Sequence, residues 1–221
     1  MKKIFMLTAL AVLLAVPAMA AIKNTRHNLG NTGDYTYRTT SETTQVCIFC
    51  HTPHNPTQNV PIWNRNNPAG GFKMYTGSPT ITVAAKGDLA ADSISRFCLS
   101  CHDGVTSLIN VRNKASETMT TDKYVNRGAG SRTNIGGGAL ADLTNDHPVN
   151  INYDIVQAAD PYFRLPADAL ANGVRFFKSS KGAGANFVEC ASCHDPHGAG
   201  HKRFLRKSND SSSLCLTCHT K

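Results

Sequence analysis

Beyond residue 20 the sequence has no apolar run near the roughly 20 residues that a bilayer-spanning helix needs, so no membrane span is expected. Leu, Ile and Val seldom recur at helical spacing for more than two turns, and strand-type alternation is as scarce. Aromatic residues make up 7% of the chain, with one tryptophan, Trp63, and charged residues only 17%. Seventeen glycines and ten prolines break up the remaining apolar sequence. Residues 103–146 hold no cysteine or histidine, and their glycines (Gly128, Gly130, Gly136 to Gly138) lack the Lys-Ser/Thr pattern of a phosphate-cradling loop. That stretch reads as a connector. No nucleic-acid recognition motif accompanies the basic excess of 23 Lys and Arg over 15 Asp and Glu.

The first twenty residues read as a signal peptide: basic Met1-Lys2-Lys3, an apolar stretch over 4–16, and the small-residue site Ala18-Met19-Ala20. No cysteine follows that site, so a lipid anchor is not expected, and the chain reads as exported. Removing the leader lowers the hydrophobic share from 41% to roughly 37%. So lean a composition means either disorder or a core supplied by something other than side chains.

The cysteines decide between the two. All eight fall into CxxC pairs: Cys47/Cys50, Cys98/Cys101, Cys190/Cys193 and Cys215/Cys218. Disulfides or zinc ribbons could use such pairs. Neither requires the histidine that follows every pair: His51, His102, His194 and His219. C-x-x-C-H is the attachment pattern of c-type haem. Two thiols add across the two vinyl groups on one porphyrin edge, and the adjacent histidine becomes the proximal iron ligand. The expectation is four covalently bound haems c, each large and flat enough to act as core. The fold class that follows is a haem-organised multihaem cytochrome c with little regular secondary structure, mostly coil, with short helices at the CxxCH sites.

The pattern is duplicated. Cys47 to His54 and Cys190 to His197 both read CxxCHxPH, whereas Cys98 to His102 and Cys215 to His219 both read CL[ST]CH. One further histidine precedes each half, His27 and His147. The expected organisation is a single tetrahaem domain after leader 1–20, built from halves at about 21–102 and 147–219 that the connector 103–146 joins. His27, His54, His147 and His197 are then enough to give every iron a second imidazole. His201 lies outside the repeat, in a basic stretch. Met74 and Met119 are the remaining alternative axial ligands and have no repeated context.

Local signals are few. Asp88 to His102 is a helix candidate with Leu89, Ile94 and Phe97 on one face. Asn209-Asp210 and the following serines supply capping side chains ahead of Cys215. Asn172-Gly173 marks a turn, and Phe176-Phe177 with Phe187-Val188 form a small hairpin leading into the third site. Trp63 packs either on a haem face or in ordinary core. The formal charge of +8 drops to about +6 without the leader, and the propionates together with the ferric haem cores bring the all-ferric protein to about +2. Lys202, Arg203, Arg206 and Lys207 form the densest basic cluster, either solvated or set against propionates.

Several stretches together carry a resemblance: His27-Asn28-Leu29, residues 47–55, residues 61–65, residues 98–104, residues 145–148, residues 190–198 and residues 204–219. With them the chain resembles the c-type cytochromes with doubled CXXCH motifs, in particular the OmcE-type extracellular tetrahaem cytochromes. That resemblance implies bis-histidine haems in a close-stacked chain, sparse secondary structure, and head-to-tail assembly into conductive filaments.

Extracellular electron transfer is therefore the expected function, with other redox proteins or extracellular acceptors as partners and no enzymatic step. The alternatives are a monomeric periplasmic shuttle, a multihaem reductase with one open haem, and a haem-stapled structural protein. His27, on an arm rich in Gly, Asn and Thr, either reaches a neighbouring protomer's haem or folds back onto its own half.

Overall fold

The computed structural model of the chain describes residues 22–33, 43–58, 61–77, 88–115, 135 and 142–221. The leader and Met119 lie outside them. Regular structure is sparse, as the broken apolar pattern dictates, and no helix of the described residues is long and apolar enough to cross a membrane.

Helix α1 spans Ile94–His102. It starts six residues later than the run from Asp88 suggests, for two reasons. The extended Ser93 caps it, its side chain accepting from Ser95 N. The Asp88 carboxylate is engaged elsewhere, accepting from the backbone N–H groups of Gly71, Phe72 and Leu89. Phe97 and Leu99 are buried.

In the second half, β1 (Ile151–Asn152) runs into α2 (Tyr153–Ala159), capped by the Asn152 side chain accepting from Ile155 N. Helix α3 (Pro166–Ala171) has proline in its first turn. It ends at the expected turn, where Gly173 takes φ +100°. Strands β2 (Phe177–Ser179) and β3 (Gly182–Val188) form the expected hairpin, with Phe177 opposite Phe187. The antiparallel sheet has the order β1-β3-β2. Strand β3 leads through Glu189 into α4 (Cys190–Cys193). Single 3-10 turns form over Val46–Phe49, Lys202–Phe204, Asp210–Ser212 and Cys215–Thr217. Every CxxCH motif thus begins on a helical turn.

The apolar core is divided among three small clusters. The first joins Leu29, Phe49, Leu108 and Val111, the second Phe72, Leu89, Leu99 and Leu143, and the third Ile151 and Val156. Leu108, Val111 and Leu143 come from the connector, whose two ends are built into the first half. Met74 packs against the second cluster.

Candidate haem-attachment sites

Three of the four sites share a backbone clamp. At the first, Thr52 N donates to Ile62 O (2.9 Å) and Asn64 N to Cys50 O (2.9 Å). At the third, Asp195 N donates to Phe204 O (2.7 Å) and Arg206 N to Cys193 O (2.8 Å). At the fourth, Thr220 N donates to Tyr162 O (2.9 Å) and Arg164 N to Cys218 O (2.8 Å). In each, a strap of three residues lies antiparallel to the proximal histidine, with Trp63, Leu205 or Phe163 opposite it. Tyr153 secures the fourth strap, its hydroxyl donating to Arg164 O and Cys218 O.

The first and third straps correspond residue by residue. His51 Nδ1 bonds Pro61 O at 2.8 Å, and His194 Nδ1 bonds Arg203 O at 2.8 Å. The Asn64 side chain donates to Ile48 O, and the Arg206 side chain to Ala191 O. Ile62 and Phe204 both take left-handed φ, 57° and 59°. The duplication read from the histidines therefore extends into the straps. Its sequence trace was a pair of apolar residues ending in a polar one, Ile62-Trp63-Asn64 and Phe204-Leu205-Arg206, too degenerate to align without the structure.

A backbone carbonyl can only accept, so Nδ1 of His51 and His194 carries the proton and Nε2 presents its lone pair. This is how metal-ligating histidines are usually held. His27 Nδ1 lies 3.3 Å from Pro196 O and His147 Nδ1 3.0 Å from Pro148 O, which sets the same tautomer.

The imidazoles meet in pairs. Ring centroids lie 6.2 Å apart for His27 and His102, 5.9 Å for His51 and His197, and 6.4 Å for His147 and His219. His27 also stacks on Phe204 of its own chain at 4.2 Å. Burial, then the neighbouring His102, drives the His27 pKa down to about 4. Burial likewise lowers His51 and His219. The neutral ring that results is the form that binds metal. Among the described ring contacts, His54 and His194 meet no imidazole; His54 is exposed and its backbone carbonyl accepts from Asn113. His201 is exposed and precedes the Lys202–Phe204 turn.

The sites follow one another in sequence order. Burial, with Cys101 adding to it, pushes the Cys50 thiol up to about 12. The Cys98 thiol donates to Ile94 O at 3.7 Å, and the neighbouring Cys98 and Cys190 thiols act on each other so that Cys98 is raised and Cys190 lowered. Burial, with Cys218 and Cys215 adding to it, pushes Cys193 up to about 11. Cys50 and Cys101 pack on one apolar cluster, Cys190 N donates to Ser95 Oγ at the start of α1, and Lys207 beside the third strap donates to Thr217 Oγ1, so each site adjoins the next. All eight thiols are free, and their sulfurs mark where thioether bonds would form. Among the described residues no three or more His, Cys, Asp or Glu side chains converge on one point.

Buried polar atoms test whether haem suits this frame. Among the described residues, the donors Trp63 Nε1, Asn67 Nδ2 and Arg96 Nε are buried without a hydrogen-bond partner. Such orphaned groups are costly unless a polar partner meets them, and propionates would be one. The thiol pairs, the histidine tautomers and these atoms together fit haem c. Trp63 is buried among side chains, stacked on Phe97 at 5.0 Å and edge-on to His51 at 5.7 Å.

No curated protein matches the chain. The model of the doubled CXXCH motif family matches residues 184–221, the third and fourth sites with part of β3, and supports reading the chain as a multihaem c-type cytochrome that carries covalent haem c in electron transfer.

Proposed function

We propose that this chain is an exported tetrahaem electron carrier that works outside the cytoplasm and joins head to tail into a polymer. The observation that carries this reading is the set of three imidazole pairs. Two ring nitrogens about 2 Å from an iron, with about 1 Å from each nitrogen to its ring centre, put the centroids about 6 Å apart. The three pairs measure 5.9 to 6.4 Å. On this reading His51 and His197, His102 and His27, and His219 and His147 ligate within one chain. Bound there, haem supplies a one-electron Fe(III)/Fe(II) couple. Two imidazoles per iron leave no position for a substrate. The sequence-ordered contacts among the sites favour transfer from one site to the next.

The repeat says what completes the fourth pair. His27 and His147 play the same part in their two halves, and His197 crosses from the second half to His51 of the first. The counterpart of His197 is His54, and that of His51 is His194. A neighbouring protomer's His54 would therefore complete the site of His194. The contact is heterologous and propagates into an open filament. Since His27 faces His102 of its own chain, the geometry favours folding back for that arm.

One observation favours a second reading, since His194 meets no imidazole among the described ring contacts: a reductase with an open third haem. His54→Ala separates the two. The polymer reading predicts that filaments are lost under negative stain and that one haem in four becomes high-spin, whereas His27→Ala alters one haem and leaves filaments intact. Intact filaments and an unchanged ferric spectrum in His54→Ala contradict it. Carbon monoxide binding by one haem of the undamaged wild-type protein supports the open-site reading instead.

A further inference from the structure

Arg65 is fully buried, at 0% exposure. Its guanidinium donates to four neutral oxygens: Nε to Ser100 Oγ (3.2 Å), one terminal nitrogen to Leu108 O (2.8 Å), and the other to Ser100 O (2.9 Å) and Ser107 O (2.7 Å). Among the described residues no carboxylate pairs with it. Arginine stays protonated even when buried, so this is a permanent charge in the interior. Ser100 lies inside the second CxxCH motif, and Asn64, next to Arg65 in the chain, donates its N–H to Cys50 O of the first, so the charge stands against both sites of the first half. The buried Asp103 follows the second motif, and its carboxylate already accepts from Val105 N, Thr106 N and Thr106 Oγ1.

The second half has the corresponding cation in a weaker form. The strap register that matches Asn64 with Arg206 matches Arg65 with Lys207, and Ser100 corresponds to Thr217 in the CL[ST]CH motif. Lys207 Nζ donates to Thr217 Oγ1 at 3.2 Å, as Arg65 does to Ser100. Lys207 is only half-buried, and of the two arginines on the straps of that half Arg206 pairs with Asp195 at 3.5 Å while Arg164 is exposed.

We infer that Arg65 is a potential-setting residue that makes the two haem sites of the first half stronger electron acceptors than the two of the second. The inference rests on the reading of the CxxCH motifs as haem sites. Reduction adds one electron to Fe(III) and gives Fe(II), with no bond made or broken. The oxidised site therefore carries one more positive charge than the reduced one. A fixed cation beside it disfavours the oxidised form, and burial leaves that effect little screened by salt. With histidine ligands throughout, charge rather than ligand type sets the order. Each protomer then holds electrons preferentially in its first half.

The test is an optical redox titration of the haem-loaded protein, with haem content and ferric spin state measured on the same samples. Arg65→Gln is expected to keep four low-spin haems and shift two of four redox components to lower potential. Arg65→Lys, which keeps the charge, is expected to recover most of that shift, and Lys207→Gln to produce a smaller one. Four unchanged components in a fully loaded Arg65→Gln protein overturn the inference while leaving the haem reading intact; missing haems in the wild-type protein would strike the haem reading instead. Should Arg65→Gln fail to load, the wild-type order of reduction decides. Haem-methyl resonances of the first two sites should change to the ferrous form before those of the last two, and the reverse order overturns the inference.

Discussion

At the scale of single residues, burial and tautomer do more than residue type. His27 lies in a segment whose sequence is compatible with a loose arm, yet Phe204, His102 and Pro196 O fix its ring on three sides. Glu189 is the counterpart among the carboxylates, 1% exposed between the two CxxCH helices α1 and α4. It accepts from Ser93 Oγ (2.8 Å), Ser95 N (3.3 Å) and Ser95 Oγ at the start of α1, and its own N–H and carboxylate form a capping box with Ser192 at the start of α4. Replacing it with alanine orphans buried donors on two elements and should cost about 2–4 kcal/mol in denaturant unfolding of the haem-loaded protein. Burial raises its pKa, more than the serine hydrogen bonds lower it. A carboxyl whose folded-state pKa is raised contributes stability below its unfolded value, and that contribution is lost as pH rises through the raised value. Wild-type unfolding free energy should thus fall as pH increases above about 4.3. Glu189→Gln should flatten that slope, and an identical slope in the variant would show that Glu189 is not its source.

At the scale of elements, the repeated unit is the CxxCH turn with its clamping strap, rather than any long helix or sheet. Asn64 holds the first strap in place: it is 0% exposed, donates to Ile48 O and Asn113 O, and accepts from Asn113 N. Asn64→Ala should cost about 2–4 kcal/mol and loosen Pro61 O from His51, seen as a broadened low-spin signal from one haem. A native-like unfolding midpoint and an unchanged spectrum would assign the strap no such role. The sequence made much of this scale legible. The CxxCH spacing, the two-fold order of the histidines, the Asn172-Gly173 turn and the hairpin facing Phe177 to Phe187 depend on neighbours in the chain, and such signals survive in a linear reading. Which imidazole faces which, the clamps, and the burial of Arg65 depend on register between distant segments, where no local pattern constrains the answer. Asp88 shows the same limit, since its carboxylate is taken by Gly71 and Phe72 from another segment and the helix starts only at Ser93.

At the scale of the whole molecule, the described residues form three small apolar clusters. The second gathers Phe72, Leu89, Leu99 and Leu143, and the third only Ile151 and Val156 with Phe163 and Val188 against them. Clusters of that size bury too little apolar surface to offset the entropy of ordering so much irregular backbone. On the proposed reading the missing apolar area is porphyrin. The chain made without haem attachment should accordingly be unfolded, with collapsed amide dispersion in its NMR spectrum; a well-dispersed haem-free spectrum would place the core in side chains alone. The most direct measurement of the central claim is the intact mass of the exported protein. The account predicts the polypeptide from residue 21 plus four haems, with each cysteine pair consumed in two thioethers. A mass equal to the polypeptide alone, or to the polypeptide less the hydrogens of four disulfides, would contradict it.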